Sequence, residues 1–250
     1  MRMTSCLRVV AIACALFSMP ASAQDRTVFL TIDDGPLSGM SNILRALEAE
    51  KVPATLFLVG EHVQASKEHK DLLAKAKASP FVTIGNHSYS HAHNRYRSFY
   101  SNAAGVLEDL EEANKVLGLT VAPFHTRLPG RDVFRLPGVT REDRGIGHAE
   151  DELEKADYDK VAAAGFYLYG WDHEWSHDSR GKPIQSVEQL VSEIGTKFAR
   201  RELVTTDKML LLMHDEMFSD RYDGYAKFRA LIAALKAKGY AFGHLKDYHR

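Results

Sequence analysis

The chain has 250 residues, a formal net charge of −1, 45% hydrophobic and 26% charged residues. That balance excludes a disordered or collagen-like chain and leaves room for one large domain or two small ones. It also argues against a nucleic-acid binder, which needs a basic face.

In chain order, residues 1–23 read as an export signal. Arg2 and Arg8 bracket a polar start, Val9 to Phe17 is almost unbroken apolar sequence, and Ala21-Ser22-Ala23 places small residues at the cleavage position. The apolar run is shorter than the ~20 residues that span a bilayer, so no transmembrane anchor is expected. Lipidation at Cys14 is disfavoured, because Ala11 stands where a larger aliphatic residue is needed. The expected layout is a signal peptide over 1–23 and one domain over 24–250, periplasmic or secreted. Cys6 and Cys14 are the only cysteines. The domain beyond them therefore has no disulfide, no thiol nucleophile and no thiolate ligand, and any metal must be held by histidine and carboxylate.

Beyond the signal, apolar runs alternate with amphipathic stretches. Thr27–Ile32, Ala54–Val59, Phe81–Ile84, Thr120–Phe124, Phe166–Tyr169 and Met209–Met213 read as buried parallel strands. Met40, Ile43, Leu44 and Leu47 share one helical face, as do Val187, Leu190, Val191, Ile194 and Phe198. Ser186 and Gln189 suggest a capping box for the second of these helices, and Phe228–Leu235 makes a last helix closed by Gly239. Arg127 to Asp151, rich in glycine and mixed charge, reads as irregular. Repeated β–α alternation implies parallel strands with helices outside, either an open doubly wound sheet or a (β/α) barrel.

In such folds, sites assemble at the carboxyl ends of strands, and five strand ends here carry chemistry. Asp33-Asp34-Gly35-Pro36 follows the first strand. His87-Ser88-Tyr89-Ser90-His91 follows the third, its two imidazoles four apart as on one helical turn. Arg127-Leu128-Pro129-Gly130, Asp172-His173-Glu174-Trp175 and Leu211-Leu212-Met213-His214-Asp215 complete the set. Two histidines and a strand-end aspartate would leave open positions on a metal, as a catalytic site requires. Tyr167, Tyr169, Trp171 and Trp175 are candidate sugar-stacking surfaces.

These ordered motifs resemble the NodB-homology polysaccharide deacetylases, carbohydrate esterase family 4, from Thr27 to Phe242. The resemblance implies a distorted (β/α) barrel that removes acetyl groups from sugars. It implies that Asp34, His87 and His91 hold one divalent metal, zinc foremost. Asp33 would then be the general base, held by Arg127, and His214 the general acid. The Gly130 N–H would help bind the oxyanion. Two departures stand out. Where the family has Asp-Trp, this chain has Glu174-Trp175 with Asp172 upstream, leaving either carboxylate as the expected partner of His214. Gly130 replaces a frequent aromatic, which removes one wall and widens the subsite. The expected substrate is an N-acetylglucosamine-containing glycan, with acetylxylan-type esters or a silent glycan-binding role as alternatives.

Overall fold

The computed structural model describes residues 26–143 and 145–249; the segment read as a signal peptide lies outside them. The elements are β1 (Thr27–Asp33), α1 (Met40–Glu50), β2 (Ala54–Leu58), α2 (Gly60–Gln64), α3 (Lys67–Ala78), β3 (Val82–Asn86), α4 (Tyr96–Phe99) and α5 (Ala103–Leu117). They continue with β4 (Phe124–Thr126), β5 (Phe134–Leu136), β6 (Val139–Arg141), α6 (His148–Ala163), β7 (Phe166–Leu168) and β8 (His173–Glu174). The last are α7 (Val187–Arg200), β9 (Lys208–His214), α8 (Gly224–Ala237) and β10 (Ala241–Phe242).

All strands join one sheet in the order β6-β5-β7-β4-β3-β2-β1-β9-β8, with β10 also on β1. The stretch from β7 to β8 is parallel throughout, and the antiparallel pairings are those of β5, with β6 in a hairpin and with β7 at the sheet's end. The sheet curls into the distorted barrel expected. On β1, Val28, Leu30 and Ile32 face the helices in the large outer core, while Phe29 points inward with Phe57, Phe134, Tyr169, Leu210 and Tyr248. Alternation along an extended strand gives each strand these two apolar faces, which is why the runs read as continuous. Seven register pairs join β1 to β9, and the last sets Asp33 beside His214.

Three local expectations need correction. The fourth strand is Phe124–Thr126, not Thr120–Phe124: Gly118 ends α5 in a left-handed cap, Val121 is 79% exposed, and Pro123 has no N–H to give a ladder. At α7, Ser186 Oγ accepts the Gln189 N–H at 3.2 Å, but the Gln189 amide turns to Glu193 at 3.1 Å. The cap is therefore single. The stretch after Arg127 is less irregular than its composition suggests, since it contains the β5–β6 hairpin and the start of α6.

Candidate active site and metal cluster

Asp33 ends β1 and Asp34 follows it, His87 follows β3, Arg127 follows β4, and His214 ends β9; the parallel sheet delivers all of them to one rim. Arg127 is wholly buried and ties the strands together there. Its Nη1 donates to Asp33 Oδ1 at 2.9 Å and to Thr31 Oγ1 at 2.8 Å. Its Nε and Nη2 donate to the carbonyls of Tyr169 and Gly170 at 3.1 and 2.8 Å. The guanidinium plane is covered by the Phe57 ring, 4.6 Å from its centroid. A guanidinium stays charged at any working pH, so Asp33 faces a permanent buried countercharge on one oxygen. Its other oxygen, Oδ2, lies 3.7 Å from His87 Nε2.

His87 and His91 aim their Nε2 atoms at the same oxygen, Asp34 Oδ1, from 3.3 and 3.1 Å. The other nitrogen of each ring fixes what those Nε2 atoms can be. His87 Nδ1 donates to the Arg127 carbonyl at 2.7 Å, and His91 Nδ1 donates to Asn94 Oδ1 at 3.0 Å. In the neutral rings, Nε2 then carries a lone pair. Two lone pairs and a carboxylate oxygen meet within 4.8 Å, and Asp34 Oδ1 is buried with no hydrogen bond. Such a set repels itself unless a cation lies between, so the residues fit a divalent metal. The protonation equilibria express the same demand for positive charge. Burial alone would raise the Asp34 carboxyl, but the facing imidazoles override it and hold it well below the usual carboxylate range. Burial alone would lower His91, and the Asp34 carboxylate reverses that.

The two histidines do not share a helical turn, as their spacing suggested. The chain reverses as soon as β3 ends, with Ser88 at φ 65° and His91 at φ 51°, and the rings meet at 5.2 Å between centroids. The groups holding these loops carry no mark in the sequence. His62 Nδ1 donates to the Asp34 carbonyl at 2.6 Å. Asp109 accepts the N–H groups of Tyr89 and Ser90 at 2.7 and 3.2 Å.

On the opposite side, burial lowers the His214 imidazole, while the charges of Asp33, Asp34 and Glu174 oppose that shift. His214 Nδ1 is buried without a hydrogen-bond partner among the described residues. Asp172 is not its partner: both its oxygens are committed to backbone, accepting the Val204 N–H at 2.7 Å and the Leu210 N–H at 2.8 Å. Glu174 acts on His214 through space only. The nearest ring is one that sequence reading missed, His177, 4.7 Å away and edge-on. Trp175 is not a sugar platform either. It is 1% exposed, with its indole N–H on the Gln185 carbonyl. Tyr169 is equally buried and bonds His125, and Tyr167 packs on His249. Trp171 remains half-buried above Arg127, its ring 5.8 Å from the guanidinium.

Gly130 has φ +64°, and its N–H makes no hydrogen bond among the described residues. A Cβ there would lie 3.1 Å from the Tyr96 ring, which stands edge-on to His91 at 6.1 Å. Tyr96, the first residue of α4, thus places an aromatic ring beside Gly130.

The sequence model described as Polysaccharide deacetylase matches residues 21–152, more than half the chain. The chain belongs to this family of NodB-domain hydrolases, whose members act on glycans and are generally metal-dependent. The chain is 25% identical to a peptidoglycan-N-acetylglucosamine deacetylase of Bacillus cereus over 228 residues, covering 90% of this chain and 70% of the relative. A chitooligosaccharide deacetylase of Rhizobium leguminosarum bv. trifolii is 39% identical over 72 residues, 28% of this chain and 32% of that one. Among solved structures, the catalytic domain of peptidoglycan N-acetylglucosamine deacetylase from Eubacterium rectale superposes with a TM-score of 0.64. It is 22% identical and 94% of each chain is covered, which establishes the shared fold.

Proposed function

We propose that the chain is an exported, metal-dependent hydrolase that removes N-acetyl groups from an N-acetylglucosamine-containing glycan. The observation that carries this reading is the convergence of two imidazole lone pairs and one carboxylate oxygen beside a second, arginine-held carboxylate. Asp34, His87 and His91 would hold the metal. When bound there, a divalent cation, zinc by its fit to two imidazoles and a carboxylate, would supply Lewis-acid chemistry that brings the pKa of a water to ~7 and polarises the acetyl carbonyl.

The chain's own residues move the protons. Asp33, fixed by Arg127, takes a proton from the attacking water as its oxygen bonds to the acetyl carbon. The Gly130 N–H, with no hydrogen-bond partner among the described residues, is the donor for the oxygen that gains charge. His214 gives a proton to the amide nitrogen as the C–N bond breaks, leaving acetate and a free amino sugar. The peptidoglycan N-acetylglucosamine named for one relative and the chitooligosaccharide named for the other support an amide substrate. The expected signal over 1–23 supports a glycan outside the cytoplasm.

Acetate release from chitin oligomers, peptidoglycan and acetylxylan, measured on metal-stripped and zinc-reconstituted protein, tests the proposal. Zinc-dependent release from the first two substrates is expected, and Asp33→Asn should reduce it by roughly 10²–10⁴ while keeping the metal. Release from acetylxylan alone, or equal release without metal, overturns it.

A further inference from the structure

The groups that make up the metal cluster sit on two loops, residues 34–39 and 87–91, where the strand ladders give out: the Leu58 carbonyl takes the His87 N–H, and the N–H groups of Leu37, Gly39, Tyr89 and Ser90 turn to side chains. Both loops also hold unfavourable backbone. Asp34, Ser88 and His91 have φ of 71°, 65° and 51°. Left-handed conformations in residues with a Cβ cost roughly 1 kcal/mol or more each and persist only where the surroundings over-determine them.

Two carboxylates outside the cluster supply that determination. Asp215, 1% exposed, accepts the Gly39 N–H on Oδ1 at 2.7 Å and the Leu37 N–H on Oδ2 at 3.2 Å. The first loop is shaped to receive it. A Cβ on Gly35 would lie 2.9 Å from Asp215 Oδ2, and a Cβ on Gly39 would run into the Asp215 carbonyl. Asp109, reaching from α5, takes the Tyr89 and Ser90 N–H groups that lie between the two histidines. In each case one carboxylate accepts two neighbouring N–H groups. An amide side chain offers one oxygen and turns an NH₂ toward the second donor.

We propose that Asp215 and Asp109 are positioning residues for the metal: by clamping the two ligand-bearing loops they hold Asp34, His87 and His91 at binding distance. The proposal rests on those three residues being the ligands. Asp215 also directly follows His214, so the same clamp ties the end of β9 to the loop that carries Asp34. Stability by itself does not favour this arrangement, because burying a carboxylate without a cation costs free energy. Outer partners of this kind typically change metal affinity 10–100-fold when altered.

The test measures zinc affinity by chelator competition, the visible spectrum of the cobalt-substituted protein, and the thermal midpoint of metal-stripped protein. Wild type, Asp215→Asn, Asp109→Asn and the exposed control Asp71→Asn are compared. Asp215→Asn and Asp109→Asn are expected to bind zinc 10–100-fold more weakly and to shift the cobalt spectrum, with metal-free midpoints at the wild-type value. The control should match wild type throughout. Unchanged affinity in both variants overturns the proposal. So does weaker binding accompanied by a matching fall in the metal-free midpoint, which is what a merely structural role produces. If Asp215→Asn does not fold, Asp109→Asn decides by the same criteria. Failure of wild type to bind zinc at all would instead overturn the ligand assignment on which the proposal rests.

Discussion

The two sides of the site are built by different means. The Asp34 side draws its groups from short motifs at strand ends and fixes them with direct hydrogen bonds: Gly35 and Gly39 leave room for Asp215, and the Arg127 carbonyl orients His87. The His214 side is assembled from elements that meet only in three dimensions. Its histidine has an unpartnered Nδ1, a carboxylate acting at a distance, and a second imidazole from the loop after β8. A cluster that must bind one ion needs fixed geometry. A group that must release a proton needs a tuned environment, which several arrangements of charge can provide.

The largest effect should come from the first side. His87→Ala removes a proposed ligand and the ring that faces both Asp33 and Asp34, so bound metal and acetate release should disappear together, the loss exceeding ~10²-fold. Metal content and activity on the same preparation check this; retained metal would break the contrast between the two sides. His214→Ala should spare the metal and impair amide cleavage by roughly 10²–10⁴. An activated ester has a better leaving group and should suffer much less. Comparable losses on amide and ester would recast His214 as a positioning group.

Asp172 separates stability from catalysis. Burial pushes its carboxyl up to about 6, above the ~3.9 of an unfolded chain. Its contribution to stability is therefore full below about pH 4 and is lost as pH rises through about 6. Urea unfolding of Asp172→Asn across pH 4–7 should show a shallower decline than wild type, on the order of 1–2 kcal/mol, with the pH–rate profile unmoved. The smallest effect is expected at Glu174. Its negative charge favours the His214 imidazolium, so Glu174→Gln should move the alkaline limb of that profile to lower pH by less than about one unit. A shift at Asp172→Asn and none at Glu174→Gln would reverse the assignment.

These differences explain what could be read from the sequence. The barrel strands were legible because a strand buried on both faces is apolar at nearly every position, as Val28, Phe29, Leu30 and Ile32 are, with only Thr31 between them polar. The cluster residues were legible because Asp34 and His87 stand directly at strand ends. Asp109 and His62 were not, since an acid or a histidine on a helix carries no mark of the distant backbone group it will meet. Trp175 misled for a related reason. An indole next to a site motif looks the same whether its strand turns it toward substrate or into the core, and here it packs on Phe218 at 6.0 Å.

Arg127 carries one more consequence. Mobile ions weaken a charge pair only when they can approach it; at physiological ionic strength their reach into exposed pairs is described by a screening length of ~8 Å. The Arg127–Asp33 pair is closed to them, with side chains 0% and 4% exposed. Added salt can therefore alter how a charged molecule approaches the rim, but it cannot loosen the carboxylate waiting there. Encounter and chemistry in this protein answer to different solvents: one to the buffer, the other to the interior of the barrel.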